Sequence, residues 1–465
     1  MTPIAPSDYS LPPAAARVVT PMVVGAGSLP DAPCVCGAVH RAPIDAVVVD
    51  ESAVEQLAAY AKARRWSRPF VVMDANTEEA AGSRVIDELS KANMRVTRFC
   101  FPERSGLRAN ETSVSRLDEA MKESATDSTV AVGSGVITDL TRYVASGMGR
   151  EFVSVPTAAS MDGYASSVAA MEFGGMKTSY PAVPPVAIFA DPSTIAAAPP
   201  EMTRAGLGDL LGKATAAVDW LASHWLYGEQ FCAEVERRVT DPLLDAATHA
   251  ADILEGSREA VTGLLRGLVE SGIAMAMVGS SRPASGCEHH ASHFWDLLAT
   301  SGRRSHPPHG LQVGYATHFA MGLQRYAFAG GIGDLTPPRP IVSGDDGARS
   351  WFAGHGAEVE VVMEEKRRFL RSHASAWPAT ASRWQLVQRQ LAEAARPFPL
   401  VTEALLAASI PAAPGFLGLD EATLRATFRW ANRIRSRYTV LDFLEGQGRL
   451  GEAIDAVLGA WSSAS

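Results

Sequence analysis

The sequence predicts an N-terminal α/β domain with a parallel sheet, followed by an all-α C-terminal domain. Five short runs rich in β-branched residues predict strands, at residues 46–49, 70–73, 95–101, 130–132 and 152–155. Helical apolar spacing separates these runs, for example at residues 54–64 and 114–122. Strands that alternate with helices form a parallel sheet that is covered on both faces.

The β pattern ends at Pro199 and Pro200. Beyond them the chain has long Ala- and Leu-rich segments with helical periodicity, for example at residues 242–254 and 258–268. A Pro- and Gly-rich stretch at 335–347 predicts a solvated loop in this part. The Pro- and Ala-rich N-terminus predicts an extended lead-in. We therefore divide the chain into an extension at 1–45, an α/β domain at 46–198 and a helical domain at 199–465.

Length and charge exclude several classes of protein. The 465 residues exceed the roughly 250–300 that one hydrophobic core holds, so two domains are expected. A net charge of -9 disfavours a nucleic-acid partner, because such proteins need a basic face to neutralise phosphates. No stretch reaches the roughly 20 apolar residues of a membrane span, and the N-terminus lacks a basic start and an apolar signal segment. We expect a cytoplasmic protein.

The five cysteines do not describe a disulfide framework, since their number is odd and the chain is long. Cys34, Cys36 and His40 have the composition of one half of a metal knuckle. The alternative is a Gly-bearing turn without metal. We favour this turn because no second ligand pair with suitable spacing follows nearby.

A glycine turn between a strand and a helix indicates where a dinucleotide binds. Gly133, Ser134 and Gly135 follow the run at 130–132, and an amphipathic helix follows Asp139. Small residues let the backbone approach a pyrophosphate, and the free N–H groups of the helix N-terminus bind its charge. A tight turn also uses glycine for steric reasons alone.

Two further polar segments follow predicted strands. Asp74 ends the run at 70–73, where a carboxylate can accept the hydroxyls of an adenine-side ribose and so favours NAD over NADP. Capping of the next helix by Asp74 or Thr77 is the other interpretation. The segment SVPTAASMDGYASS follows the run at 152–155, and its small hydroxyl residues suit either a cofactor pocket or an ordinary polar loop.

Five of the eleven histidines fall within about twenty residues, at positions 289, 290, 293, 306 and 309. His289 and His293 are four apart and share one face of a helix, so both can point at one site. His309 precedes Gly310 at the start of another helical pattern. Asp209 lies among small and apolar residues, where a lone carboxylate is costly, and it is the best third ligand for a catalytic metal. Buried core histidines, and exposure of His290 and His306, are the alternatives.

Five ordered motifs together resemble the sn-glycerol-1-phosphate dehydrogenase family, which includes bacterial AraM-type members: GSGVITD, SVPTAASMDGYASS, GLGD, GCEHHASH and HGLQVG. This family belongs to the superfamily of dehydroquinate synthase-like proteins and iron-type alcohol dehydrogenases. The resemblance extends from about Val47 to Phe328. It implies metal-dependent, NAD(P)-linked reduction of dihydroxyacetone phosphate, reversibly, to sn-glycerol 1-phosphate in a homo-oligomer.

The resemblance also implies a role for individual residues. One divalent ion (Zn, Ni or Fe) would bind to Asp209, His289 and His309, and Asp209 would also contact substrate. Substrate binding and catalysis fall to His293, Asp162 and Lys177, with Lys177 as a basic group for the phosphate. Contacts to NAD or NADP would come from Asp74, Gly135, Val136, Ile137, Thr138, Asp139, Thr157, Ala158, Ala159, Ser160 and Ser166.

Some features depart from the family or favour another function. Ser134 stands where many relatives have glycine, and His306 could compete with His309 as a ligand. A glycerol or polyol dehydrogenase would not need Lys177. A dehydroquinate synthase-like carbocycle-forming lyase would have Glu in place of Asp209, and a non-catalytic paralogue would not need all these residues. Phosphorylated-ketone reduction remains the leading hypothesis.

Overall fold

A seven-stranded sheet organises the first part of the computed structural model. The structure describes residues 24–25, 34–174, 176–300, 302, 307–330, 332–341, 350–352 and 354–463. The strands are β1 (Val24–Gly25), β2 (Ala46–Val49), β3 (Pro69–Asp74), β4 (Thr97–Phe101), β5 (Ser128–Val132), β6 (Phe152–Val155), β7 (Val168–Phe173), β8 (Met176–Pro181) and β9 (Ala187–Ala190).

The sheet has the order β1-β2-β9-β6-β5-β3-β4. From β2 to β4 every neighbouring pair is parallel, and β1 alone runs antiparallel, against β2. All residues of β5 and β6 are buried, as expected for strands that helices cover on both faces. The predicted α/β fold with a parallel sheet is confirmed. The strand predictions are confirmed within two residues at each end.

Four of the described strands were not predicted, namely the two-residue β1 and the strands β7, β8 and β9. β9 is a four-residue strand that inserts between β2 and β6. β7 and β8 form a separate antiparallel hairpin, with Lys177 opposite Glu172. The hairpin projects from the α/β part towards the helices, where it contacts the helix that carries His289.

Helices make up the rest of the fold. They are α1 (Ala53–Ala63), α2 (Ala75–Thr77), α3 (Ser83–Lys91), α4 (Glu111–Glu123), α5 (Gly135–Gly147), α6 (Pro192–Ala196), α7 (Pro200–Tyr227), α8 (Ala233–Thr248), α9 (Ala250–Leu254), α10 (Arg258–Val278), α11 (Cys287–Thr300), α12 (His309–Phe328), α13 (Gly356–His373), α14 (Trp377–Ala381), α15 (Trp384–Ala394), α16 (Phe398–Ala407), α17 (Glu421–Trp430), α18 (Val440–Gly446) and α19 (Leu450–Ser463). The predicted all-α C-terminal part is confirmed. The division at 198/199 stays a prediction.

The longest helix, α7, is the centre of the helical part. Most of its residues are buried, and it packs against α12 more extensively than against any other described element. Helix α10 is long and apolar enough to cross a membrane, but 72% of its apolar window is buried inside the protein. Such burial is what a core helix requires.

Two predicted segments lie partly outside the described residues. The lead-in at 1–45 is described only at β1 and from Cys34 onward. The loop predicted at 335–347 is described as far as Ile341 and has no helix or strand there. In that part Arg339 donates its backbone N–H to the carbonyl oxygen of Gly446.

Helices α7 and α12 cross in direct backbone contact, because both carry glycine at the crossing. A Cβ atom on Gly310 would lie 1.8 Å from the carbonyl oxygen of Ala205, and one on Gly208 would lie 2.4 Å from that of Gly310. No side chain fits in this space. The crossing brings Asp209, next to Gly208, close to His309, next to Gly310.

Candidate metal and nucleotide site

Three helices bring Asp209, His289 and His309 together. Helix α7 supplies the aspartate, α11 the first histidine and α12 the second. One ligand atom from each residue lies within 4.8 Å of the other two. A carboxylate and two imidazoles at this separation are a donor set that fits a divalent ion such as Zn.

Each histidine of this trio has one ring nitrogen occupied by a neighbour. Nδ1 of His289 lies 2.8 Å from Oε1 of Glu288, and Nδ1 of His309 lies 3.1 Å from the hydroxyl of Ser292. Nε2 of His289 faces Asp209, 3.6 Å from its Oδ1. Partners of this kind orient metal-binding imidazoles. They leave Nε2 of each ring to bind the ion.

A buried lysine, which sequence reasoning missed, joins two of the predicted acids. Nζ of Lys213 lies 2.5 Å from Oδ1 of Asp209 and 2.8 Å from Oδ2 of Asp162. Burial by itself raises the pKa of Asp209, but the charge of Lys213 and the contact with His289 outweigh it and hold this pKa well below its ordinary value. The pKa of Asp162 is raised by burial and by Asp209.

The third predicted histidine, His293, lies beside the trio. Its ring centre is 5.5 Å from that of His309. It lines a pocket with Lys177 from the hairpin and with Arg435 from the segment before α18. Burial, and next the charge of Arg435, lower the pKa of His293 well below its ordinary value. The imidazole is therefore neutral near pH 7.

Two cations, Lys177 and Arg435, line this pocket together with the exposed Glu358, and the buried Asp296 lies next to it. Nζ of Lys177 lies 3.3 Å from Oδ2 of the buried Asp296, and His293 Nδ1 lies 3.8 Å from the same oxygen. Burial lowers the pKa of Arg435 to about 10, so its guanidinium stays charged near neutral pH. Its Nε has no hydrogen-bond partner among the described residues. Arg435 was not predicted, because its stretch of sequence carries no motif.

The predicted nucleotide elements meet at the carboxyl edge of the sheet. Ser134, between β5 and α5, hydrogen-bonds through its hydroxyl to that of Ser160 in the loop after β6. Tyr164 supports this loop, since its hydroxyl donates to the carbonyl oxygen of Ala158 at 2.5 Å. The N-terminus of α5 and the loop after β6 therefore form one surface, at the edge where parallel sheets bind ligands.

The predicted cofactor residues differ in whether their side chains or only their backbones are accessible to a nucleotide. Ile137, Thr138, Ala158 and Ala159 have buried side chains and could reach a nucleotide only through the backbone, as could Gly135. Val136 and Ser160 have side chains that reach the surface or its edge, and Thr157 and Ser166 are nearly covered. The hydroxyl of Ser166 accepts the N–H of Val168.

Asp139 has a structural partner that the sequence did not reveal. Its Oδ1 lies 2.7 Å from the guanidinium of the fully buried Arg142. Arg142 also donates to the carbonyl oxygens of Gly163, Tyr164 and Val168, which fixes the loop that contains Asp162. Burial raises the pKa of Asp139 to about 6.

Asp74 caps a helix, as the second interpretation of the sequence proposed. Its Oδ1 accepts the N–H groups of Asn76 and Thr77, each at 2.9 Å, and Thr77 Oγ1 accepts the N–H of Asp74. Both side-chain bonds of Asp74 use the same oxygen. The cap thus holds the carboxylate at the tip of β3.

His290, a further histidine of the cluster, is not part of the trio. His290 is buried, and neither ring nitrogen has a hydrogen-bond partner among the described residues. Of the two alternatives for this histidine, exposure is therefore wrong, and His290 is a buried core residue. His306 lies outside the described residues.

Comparisons with known proteins agree with this architecture. The sequence profile of iron-containing alcohol dehydrogenases matches residues 48–199. Among solved structures, glycerol dehydrogenase from Schizosaccharomyces pombe superposes with a TM-score of 0.58 at 19% identity, covering 90% of both chains. Sulfoacetaldehyde reductase from Bifidobacterium kashiwanohense, solved with NAD+, gives a TM-score of 0.59 at 15% identity over 92% of this chain and 99% of its own. These likenesses establish the fold.

Sequence relatives define the family more closely. A protein of Geobacillus stearothermophilus named glycerol-1-phosphate dehydrogenase NAD(P)+ is 31% identical over 417 residues, which cover 88% of this chain and 95% of the relative. Proteins with the same name are 36% identical in Bacillus velezensis, over 59% of this chain and 71% of the relative, and 34% identical in Pyrococcus furiosus, over 58% and 76%. With its fold and ordered motifs, this chain belongs to the glycerol-1-phosphate dehydrogenase family, within the iron-containing alcohol dehydrogenase type.

Proposed function

We propose that this protein catalyses the reversible, NAD(P)-linked reduction of dihydroxyacetone phosphate to sn-glycerol 1-phosphate, with one divalent ion bound by Asp209, His289 and His309. One loop carries this proposal. Ser160 bonds to Ser134 at the nucleotide turn, and two residues later the N–H of Asp162 donates to Oδ2 of Asp209 at 3.1 Å. Nucleotide and metal elements are thus adjacent, as hydride transfer to a polarised carbonyl requires.

Asp209, His289 and His309 form a donor set that fits one divalent ion. All three side chains are directed at one point by other parts of the fold, and no further protein ligand is needed for an open catalytic site. Bound there, the ion supplies Lewis-acid polarisation of the substrate carbonyl. Lys213 and Asp162 contact Asp209 and would orient it, and Asp162 would receive a substrate hydroxyl.

Lys177 and Arg435 are the proposed phosphate-binding groups. Both line the pocket beside His293, and charge-assisted bonds to a phosphate are among the stronger contacts that proteins make. The buried Nε of Arg435 has no other partner among the described residues, so a phosphate oxygen would satisfy it. If the substrate were an unphosphorylated polyol, it would have no anionic group to bind Lys177 and Arg435.

His293 is the proposed proton carrier. Its pKa is low because burial and nearby cations disfavour its charged form. A phosphate dianion beside Lys177 and Arg435 would offset those cations and raise this pKa. Substrate binding would then prepare His293 to transfer a proton to the product oxygen.

The proposal also covers the choice of nucleotide, the cellular compartment and the oligomeric state. Oδ1 of Asp74 binds the start of α2, so Oδ2 is the atom for ribose hydroxyls, which favours NAD over NADP. The surface of the loop after β6, with Thr157 and Ser160, would bind the nicotinamide half. We further propose a cytoplasmic homo-oligomer.

The test is NADH oxidation by metal-reconstituted protein. Dihydroxyacetone phosphate is compared with dihydroxyacetone and with a chelator-treated control, and product chirality is then determined. Chelator-sensitive turnover of the phosphorylated ketone supports the proposal. Preference for dihydroxyacetone indicates a polyol dehydrogenase. Binding of NAD and metal without turnover of either ketone points to a carbocycle-forming lyase.

A further inference from the structure

Three of the five cysteines and one histidine converge in a group that shares no residue with the catalytic trio. Cys34, Cys36 and His40 come from the segment before β2, and Cys232 immediately precedes α8. One ligand atom from each of the four lies within 4.8 Å of the others. We propose that these residues form a second metal site, which binds zinc in a structural role.

The sulfur separations suit a metal and not a disulfide. Sγ of Cys34 and Sγ of Cys232 are 3.7 Å apart, whereas a disulfide requires about 2.05 Å. Two thiolates bound to one zinc at about 2.3 Å with a tetrahedral angle lie about 3.8 Å apart. Sγ of Cys36 lies 3.1 Å from Nε2 of His40, so the second pair of ligand atoms is closer still.

The backbone of the segment presents its ligands to one point. Gly37 has a φ of +84°, and its N–H donates to the carbonyl oxygen of Cys34 at 2.7 Å. The N–H of Cys34 in turn donates to the carbonyl oxygen of Ala38 at 2.8 Å. This closed turn, which needs glycine at its left-handed position, places Cys34 and Cys36 beside each other.

A hydrogen bond on the side away from the thiols orients the imidazole of His40. Its Nδ1 lies 3.3 Å from the backbone carbonyl oxygen of Met277 in α10. A proton on Nδ1 makes this bond and leaves Nε2, on the side of the thiols, as a metal ligand. A backbone carbonyl in this position is a common partner of metal-bound histidine.

The chemistry of the donors defines the ion and its role. Three thiols and one imidazole form a soft, four-coordinate set typical of structural zinc, with no position left for substrate. His40 and Cys232 are 4% and 1% exposed, whereas Cys34 and Cys36 are half-buried, so the protein covers one side of the site. Cys34 and Cys232 are 198 positions apart. The ion would therefore attach the segment before β2 to α8 and α10 of the helical part.

The experiment measures metal content in the full-length protein, purified under reducing conditions with zinc. Wild type is compared with Cys232→Ser, His309→Ala, the double variant and Cys100→Ser, a cysteine on β4 that serves as the matched control. We expect each of the first two to lose one ion per chain and the double variant to lose both. Cys100→Ser should match wild type.

Cobalt identifies which site is occupied. In cobalt-substituted protein, the thiolate charge-transfer absorption should vanish in Cys232→Ser and persist in His309→Ala. A chain that binds no ion dependent on Cys232, or a Cys34–Cys232 disulfide found by peptide mapping, would overturn the proposal. If Cys232→Ser does not fold, a mercurial thiol reagent added to wild type should release one zinc with a colour change in a metal indicator; release of none contradicts the site. Both readouts are independent of catalytic activity.

Discussion

Glu288 lies directly behind the metal ligand His289, with its Oε1 2.8 Å from Nδ1 of the ring. The same carboxylate accepts the hydroxyl of Thr215 at 2.7 Å and the N–H of Gly286 at 2.6 Å. Burial raises its pKa, but the contact with His289 outweighs burial and lowers it. An ionised carboxylate in this position makes the imidazole a stronger ligand.

Glu288→Gln should weaken metal binding by about 10- to 100-fold, because it removes the negative charge that makes His289 a stronger ligand. The side chain keeps its shape, so packing should not change. Competitive titration with a metal indicator measures this change. Glu270→Gln, which alters a half-buried carboxylate that pairs with Arg238, is the control. Equal affinity in wild type and Glu288→Gln would contradict the role of Glu288.

His309→Ala should lower kcat by about 10³-fold or more, because loss of the ion removes several kcal/mol of transition-state stabilisation. NADH binding, followed by fluorescence, should change little, since the nucleotide surface lies at the sheet edge. Retention of full activity would assign the ligand role to another residue.

Lys177→Ala should raise KM for dihydroxyacetone phosphate by about 10- to 100-fold, as expected for one charge-assisted bond. Any activity with dihydroxyacetone should stay the same, because that ketone has no phosphate. Lys122→Ala, at an exposed lysine of α4, is the control. A parallel loss with both ketones would mean that Lys177 acts through Asp296 on the structure of the pocket.

Lys213→Met should lower the free energy of unfolding by about 3–5 kcal/mol, because it leaves Asp162 and Asp209 buried without their cation. Urea denaturation of metal-free protein measures this loss. Lys62→Met, on the surface of α1, should have little effect. A small loss for Lys213→Met would show that the two carboxylates share a proton when the lysine is absent.

Asp219 makes stability depend on pH. Burial and the nearby charge of Glu288 raise its pKa to about 7, above about 3.9 in an unfolded chain. The contribution of Asp219 to the free energy of unfolding is therefore fully present below about pH 3.9, and it is lost as pH rises through about 7. The unfolding free energy of wild type relative to Asp219→Asn should fall by a few kcal/mol between pH 4 and 8, in metal-free protein. A constant difference over this range would contradict the raised pKa.

Much of the fold could be predicted because local patterns determine it. The β-branched runs of β2 to β6 are separated by amphipathic helices, and that alternation implies a parallel sheet. β9 escaped prediction because its four residues lie in a Pro-rich stretch and derive their strand structure from pairing with β2 and β6. The β7–β8 hairpin escaped prediction because its sequences, VAAMEF and MKTSYP, lack the β-branched runs that mark the other strands.

The site could be predicted where its residues belong to motifs, and not where they are brought in by packing. Asp209, His289 and His309 converge as the motifs implied, although their roles await the tests above. Lys213 follows Asp209 by four positions on the same helix, which was an available signal. Arg435 and Cys232 had none, because each joins its cluster only through contacts between distant segments.

The glycine contact between α7 and α12 gives the trio a property that side-chain packing could not. Backbones that touch at Gly208 and Gly310 cannot slide or tilt without collision, so Asp209 and His309 keep their separation whether or not a ligand is present. Metal-free and metal-loaded protein should accordingly have superimposable helices. Loss of the ion should then be reversible, since its return requires no refolding of the enzyme.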